Sequence, residues 1–209
     1  PSLLETTKTS SPFSSFLLLG QSTSAGMELG LWKFLGTILN IYGLSLTSAG
    51  HGAFLIQLTT LFVPTIQGLL GVPIPRGIWT AIGLAIAGVA LFTQDTTAAS
   101  SALMGDVACV GAAIMYATYD LRLFHWGKRV ETLDLITSKI VTQTVLSIVA
   151  LLVFAWEPTL VFMETANLTD LKFIAGVAVW SGVIVNAVAP YLQVGGQQAV
   201  GPARAQILY

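Results

Sequence analysis

Residues Leu135–Trp156 read Leu-Ile-Thr-Ser-Lys-Ile-Val-Thr-Gln-Thr-Val-Leu-Ser-Ile-Val-Ala-Leu-Leu-Val-Phe-Ala-Trp. The run holds 22 residues and one charge, Lys139, close to its start. About 20 apolar residues, rising 1.5 Å each, carry a helix across the hydrocarbon of a bilayer. The whole chain agrees with that reading. Of its 209 residues 54% are apolar and 9% charged, and mean hydropathy is +0.78. A soluble domain carries roughly 25% charged residues. Nine basic and ten acidic side chains are too few to cover a compact 22 kDa soluble protein. Disorder is excluded, because disordered chains are poor in apolar residues. A net charge of −1 without a basic stripe argues against nucleic acid as a partner. A single cysteine, Cys109, excludes a disulfide framework, and His51 and His125 are too far apart for a compact metal motif. No metal or other cofactor is expected, and the bilayer is the expected surrounding.

Working outward, further spans are expected at Gly30–Leu46, Gly52–Leu70 (with Pro64 inside), Gly77–Phe92, Ala102–Phe124 and Leu171–Val194. Gly71-Val72-Pro73-Ile74-Pro75-Arg76 is a turn. Thr93–Ser101 and Glu157–Asp170 read as loops, Phe13–Gly20 is too short to span, and Pro1–Pro12 reads as a loop or disordered end. Another helix opens near Ala203, so both ends read as cut from a longer protein.

Lys and Arg set the orientation of such a chain. Alternating the loops puts Lys8, Lys33, Arg76, Arg122, Lys128, Arg129, Lys139 and Arg204 on one side and only Lys172 on the other. The first side, with the Arg76, Lys128 and Arg129 loops, is expected to be cytosolic. Which membrane is involved stays open. Asn167-Leu168-Thr169 is a glycosylation sequon on the other side.

A shift of 153 residues lays Gly43–Leu55 on Gly196–Leu208 and Asn40 on Gln193. Each segment is a span end, a small-residue turn, one basic-capable residue (His51 or Arg204) and a new apolar helix. Five spans separate the copies. An odd number inserts them in opposite directions, the inverted-repeat arrangement of secondary transporters.

These residues resemble the EamA family of the drug/metabolite transporter superfamily. Gly43-Leu44, Thr47-Ser48-Ala49-Gly50, Ala53-Phe54-Leu55 and Phe62-Val63-Pro64 are similar to its third-to-fourth helix junction. Trp79, Gly83 and Gly88-Val89 are similar to its fifth helix; Gly105-Asp106, Ala112-Ala113 and Tyr116 to the opening helix of its second repeat. Tyr191-Leu192-Gln193, Gly196-Gln197, Val200, Pro202-Ala203 and Ala205 are similar to its eighth-to-ninth junction. The resemblance implies an all-α, polytopic transmembrane bundle of two inverted five-helix repeats, here incomplete at both ends. Residues 1–98 would supply an N-terminal loop and helices three to five. Residues 99–209 would supply helices six to eight and the start of nine. It also implies a secondary transporter of small organic metabolites working by alternating access, not an enzyme. A truncated, non-transporting membrane protein or assembly partner is the alternative reading, and an intramembrane enzyme a more distant one.

Polar groups inside hydrocarbon are costly unless they face a cavity or a partner. The candidates for lining a solute cavity are Asn40, Gln57, Thr60, Tyr116, Trp180 and Gln193. Asn40 and Gln193 are repeat partners. Asn40 shares a face with Gly36 and Gly43, where backbones can approach closely. Gln57 and Thr60 lie three apart on one face, Tyr116 belongs to a stripe with Cys109, Ala113 and Asp120, and Trp180 is deeper than the other tryptophans. Asn186, Asp120 and Arg122 read as packing or interfacial groups. The small-residue pairs Gly83/Ala87, Ala108/Ala112 and Ala113/Ala117 read as helix-packing faces. A small-molecule solute is the expected partner, and small-residue faces could also pair two copies as a homodimer.

Overall fold

A computed structural model of the chain describes residues 12–74, 76–94 and 100–208, with side chains over 20–74, 76–88 and 103–205. The described residues are helical and contain no strand. In chain order the helices are α1 (Pro12–Leu46), α2 (Ala49–Ile56), α3 (Thr59–Leu69), α4 (Arg76–Gln94), α5 (Ser100–Gly127), α6 (Thr132–Phe154), α7 (Trp156–Thr165), α8 (Leu168–Trp180), a π-helical segment (Ser181–Val188), α9 (Ala189–Val200) and α10 (Pro202–Leu208). Among the described residues five stretches are long and apolar enough to cross a membrane, as a multi-pass membrane protein requires: Gly20–Leu46, Ala49–Leu69, Leu103–Gly127, Thr132–Phe154 and Leu168–Val200. α4 covers the remaining expected stretch, 77–92.

Three boundaries differ from the sequence expectation. The stretch expected to begin at Gly30 is the second half of a 35-residue helix running from Pro12. Its polar segment continues as helix, and the charge within it, Glu28, is held by Arg122 and the Trp126 indole of α5, with Trp126 Nε1 2.9 Å from Glu28 Oε2. The stretch 52–70 is broken at Gln57-Leu58. There the Thr59 and Thr60 hydroxyls donate to the carbonyls of Ile56 and Gln57 at 2.7 and 2.8 Å, offering the backbone a substitute for its next helical donors. The expected loop 157–170 contains α7, in which Pro158 occupies the first turn, where its missing N–H is tolerated. The turn before α4 is as expected: Gly71 takes φ +82°, open to glycine and strained for other residues. Pro1–Ser11 and residues 95–99 lie outside the described residues.

α1 is the spine, lying between α5 and α6. Glycine sets both distances. A Cβ on Gly43 would lie 2.5 Å from Cys109 Sγ and 2.8 Å from the Gly105 carbonyl of α5. A Cβ on Gly30 would lie 2.9 Å from the Lys139 carbonyl of α6. Small residues let backbones meet in this way when lipid supplies no hydrophobic drive between helices. The facing alanines of α5, Ala108, Ala112, Ala113 and Ala117, are buried accordingly. Gly83 and Ala87 are exposed among the described residues: α4 packs chiefly on α3, where the Trp79 ring covers Gly68.

One end of the bundle is closed by an apolar cluster of Ala25, Leu29, Tyr119, Leu123, Leu135 and Val194, with Trp32, Trp126 and Val130 around it. The corner between α1 and α2 is polar. His51, 5% exposed, meets Asp106 Oδ1 at 3.0 Å through Nδ1, and the Thr47 hydroxyl donates to the same oxygen at 2.9 Å. Ser48 caps α2 by accepting from the His51 N–H. Large apolar side chains such as Ile148, Leu152, Phe154, Phe173 and Val179 point outward, which is where a lipid-facing surface puts them.

Candidate functional site: a polar cluster between α1, α5, α6 and α9

Against this apolar background, charged and polar side chains from four helices gather beside the apolar cluster. Each arrives for a local reason. On α1, Lys33, Thr37 and Asn40 follow offsets of four and three, one helical stripe turned toward α5. On α5, Tyr116, Tyr119 and Asp120 share the facing stripe. The Lys33 ammonium lies 4.4 Å from the Tyr116 ring centre and 5.2 Å from that of Tyr119, within the reach of a cation–π contact. The Tyr116 hydroxyl donates to Thr37 at 3.3 Å, with Asn40 in hydrogen-bonding reach. Asp120, 7% exposed, accepts from Gln193 Nε2 of α9 at 2.8 Å and faces Lys33 electrostatically.

Lys139 enters from α6. It is 1% exposed, seven residues into its helix, so its Cα stands about 10 Å inside the helix start. Its ammonium lies 5.8 Å from the Tyr119 ring centre and donates to the Asn186 carbonyl at 3.3 Å. That carbonyl is available because of Pro190. In an α-helix the N–H of residue 190 would serve it, and proline has none, while the proline ring also crowds the carbonyl four residues back. The chain widens into the π segment over Ser181–Val188 just before Pro190. Asn186 Nδ2 closes the widened turn on the Ser181 carbonyl at 2.9 Å. A proline and a π turn inside a span are tolerated where a neighbouring group takes up the freed backbone; here the neighbour is a buried cation.

Two ammonium groups share one tyrosine ring, which places them within about 11 Å of each other. At an effective dielectric near 20 that separation costs at least about 1.5 kcal/mol of repulsion. Among the described residues Asp120 is the one carboxylate of the cluster; Glu28, five residues before Lys33, is taken by Arg122 and Trp126. Among the described residues the Tyr119 hydroxyl, on a residue 2% exposed, has no hydrogen-bond partner. Beside Lys139 a groove of about 520 Å³ runs between α6 and the π segment, lined by Gln143, Thr144, Ser147, Ser181 and Asn186 among apolar side chains. Gln143 Oε1 is buried there without a hydrogen-bond partner among the described residues.

Of the residues singled out from the sequence, Asn40, Tyr116 and Gln193 converge on this cluster. Gln57 is exposed at the α2–α3 break, and the Thr60 hydroxyl turns back onto the Gln57 carbonyl. Trp180 is 64% exposed on the outer face of α8. Asp120 is a buried member of the cluster instead of an interfacial anchor. Lys33 and Lys139 join the cluster in the structure, although in the sequence both count with the basic loops. A signal was present, since Lys139, Gln143 and Ser147 repeat at offsets of four and mark one polar stripe along an apolar helix. Among the described residues no three His, Cys, Asp or Glu side chains are placed to hold a metal ion.

No protein-family model, curated protein or solved structure matches this chain.

Proposed function

We propose that this chain forms the solute pathway of a secondary carrier for small organic metabolites, of the EamA type within the drug/metabolite transporter superfamily. The observation that carries the reading is the cluster itself: buried Tyr119, Asp120 and Lys139 with half-buried Lys33, Tyr116 and Gln193, from four helices that are mostly apolar. Ionisable side chains inside a span are expensive and mark solute or ion pathways. Carrier sites lie between repeats, at broken or irregular helices, and the π segment before Pro190 is such an irregularity. The 153-residue shift also gains support. It lays the α1–α2 break at Thr47-Ser48 on the α9–α10 break at Val200-Gly201, each followed at once by a new helix. In this reading the Arg76, Lys128 and Arg129 loops are cytosolic, and solute contacts Asn40, Tyr116, Gln193 and the two lysines as the repeats rock about it.

The Thr47, His51 and Asp106 corner resembles a hydrolase constellation in residue type but not in arrangement. Both Thr47 Oγ1 and Asp106 approach His51 on Nδ1. A nucleophile activated by histidine must face the nitrogen opposite the carboxylate. The corner therefore reads as a structural clasp.

Uptake into proteoliposomes containing the full chain tests the proposal, with a panel of neutral, cationic and anionic metabolites. At least one is expected to accumulate saturably above protein-free vesicles, and Lys139→Gln is expected to slow that uptake tenfold or more. Absence of uptake for every class, or undiminished uptake in Lys139→Gln, would count against the carrier.

A further inference from the structure

We infer that the solute carries an oxyanion group, a carboxylate or a phosphate, and that this group binds beside Tyr119 between Lys33 and Lys139. The inference rests on the carrier reading for there being a solute, and adds its chemical class. Charge is the first argument. Among the described residues half-buried Lys33 and buried Lys139 and Asp120 bring two cations and one carboxylate together, and buried charges are ordinarily paired. An anion bridging the lysines would complete the balance. Donors are the second. Lys139 is 1% exposed, carries three N–H donors and, among the described residues, makes one side-chain hydrogen bond, to the Asn186 carbonyl. The Tyr119 hydroxyl, on the ring that both ammonium groups approach, has no hydrogen-bond partner among the described residues. An oxyanion accepts from such donors, and a neutral amide or an ammonium solute cannot neutralise the lysines. Space is the third. The groove of about 520 Å³ runs along the α6 stripe that continues from Lys139 through Gln143 and Ser147, and it shares Asn186 with that lysine. That volume suits a small organic molecule, and the hydroxyls and amides along it are neutral, as the uncharged body of such a solute needs.

The test is thermal unfolding of the purified full chain in detergent micelles at constant ionic strength. The probes are benzoate against benzamide, succinate against succinamide, and inorganic phosphate. At least one anion is expected to raise the unfolding midpoint where its neutral counterpart does not, because a ligand that binds only the folded state stabilises it. A response to the carboxylates alone assigns a carboxylate solute, and a response to phosphate alone a phosphate ester. Lys139→Gln and Lys33→Gln should each weaken the anion's apparent affinity tenfold or more. Lys139→Arg, which keeps the charge, and Lys172→Gln, on the exposed start of α8, should retain the response. If either glutamine variant does not fold, the other decides; if neither folds, the anion–amide pairs on the unaltered chain decide. Equal effects of anions and amides, or no effect of any anion, would overturn the inference, as would an anion effect surviving in both glutamine variants. Saturable uptake of a neutral metabolite without anion stabilisation would sink this inference and leave the carrier standing. Anion stabilisation without uptake of any solute would do the reverse.

Discussion

Gly43→Leu should prevent α1 and α5 from assembling. The close approach at this point is backbone to backbone: a Cβ on Gly43 would lie 2.8 Å from the Gly105 carbonyl and 3.0 Å from the Cys109 N–H. The reverse contact is as tight, since a Cβ on Gly105 would lie 2.9 Å from the Gly43 carbonyl. A flexible side chain could turn aside, but a helix backbone cannot. Overpacking a core typically costs about 1–3 kcal/mol, and a leucine wedged between two backbones belongs at or above the top of that range. Loss of about 3 kcal/mol, or of the folded state altogether, is expected in unfolding measurements in detergent micelles. Gly83→Leu is the control, because nothing lies within 4 Å of that position's Cβ. Equal stability of the two variants would show that the α1–α5 contact is not where it is described.

The second large effect is expected at Asp120. This carboxylate accepts from Gln193 and faces Lys33, and it is 7% exposed. Removing one partner of a buried charged pair costs more than the pair itself contributes, because the other charge is left behind uncompensated. Asp120→Ala should therefore lose about 3 kcal/mol of stability. Asp120→Asn, which keeps an acceptor for Gln193 Nε2 but not the charge, should fall between the alanine variant and the unaltered chain. Both are read by the same unfolding measurement. Indistinguishable stabilities for all three would mean that Asp120 balances no buried cation.

Much of this architecture is legible in the residues. Apolar runs locate the long helices, Gly71 locates the turn before α4, and the small residues of α5 locate its buried face, because each depends on composition or on a local backbone requirement. The errors fall where distant partners decide. Gln21–Glu28 looks too polar to continue a span, yet Arg122 and Trp126, about a hundred positions away, satisfy Glu28. The break at Gln57-Leu58 follows from hydroxyls turning back on their own helix, which spacing alone does not reveal. The site divides in the same way. Asn40, Tyr116 and Gln193 are visible as polar groups deep in apolar spans. Lys33 and Lys139 carry two meanings at once, since a basic residue near a span end ordinarily marks the cytosolic side. Only the packing of α1 against α5 and α6 turns both inward. Trp180 fails for the opposite reason: depth along a helix says nothing about which face the side chain occupies, and here it points outward.

Cysteine labelling distinguishes the proposed solute pathway, in which water reaches Asn40 and Gln193 from each side of the membrane in turn, from a packed polar cluster. The chain has a single cysteine, Cys109, which is buried. In a Cys109→Ala background, Gln193→Cys and Asn40→Cys would be exposed in sealed vesicles to a charged, membrane-impermeant thiol reagent, added from one side and then from the other. The expected result is modification of both positions from both sides, slowed by whichever solute the uptake panel identifies. Protection of both positions from both sides, with an exposed control such as Leu69→Cys reacting normally, would contradict the account and leave the cluster as packing.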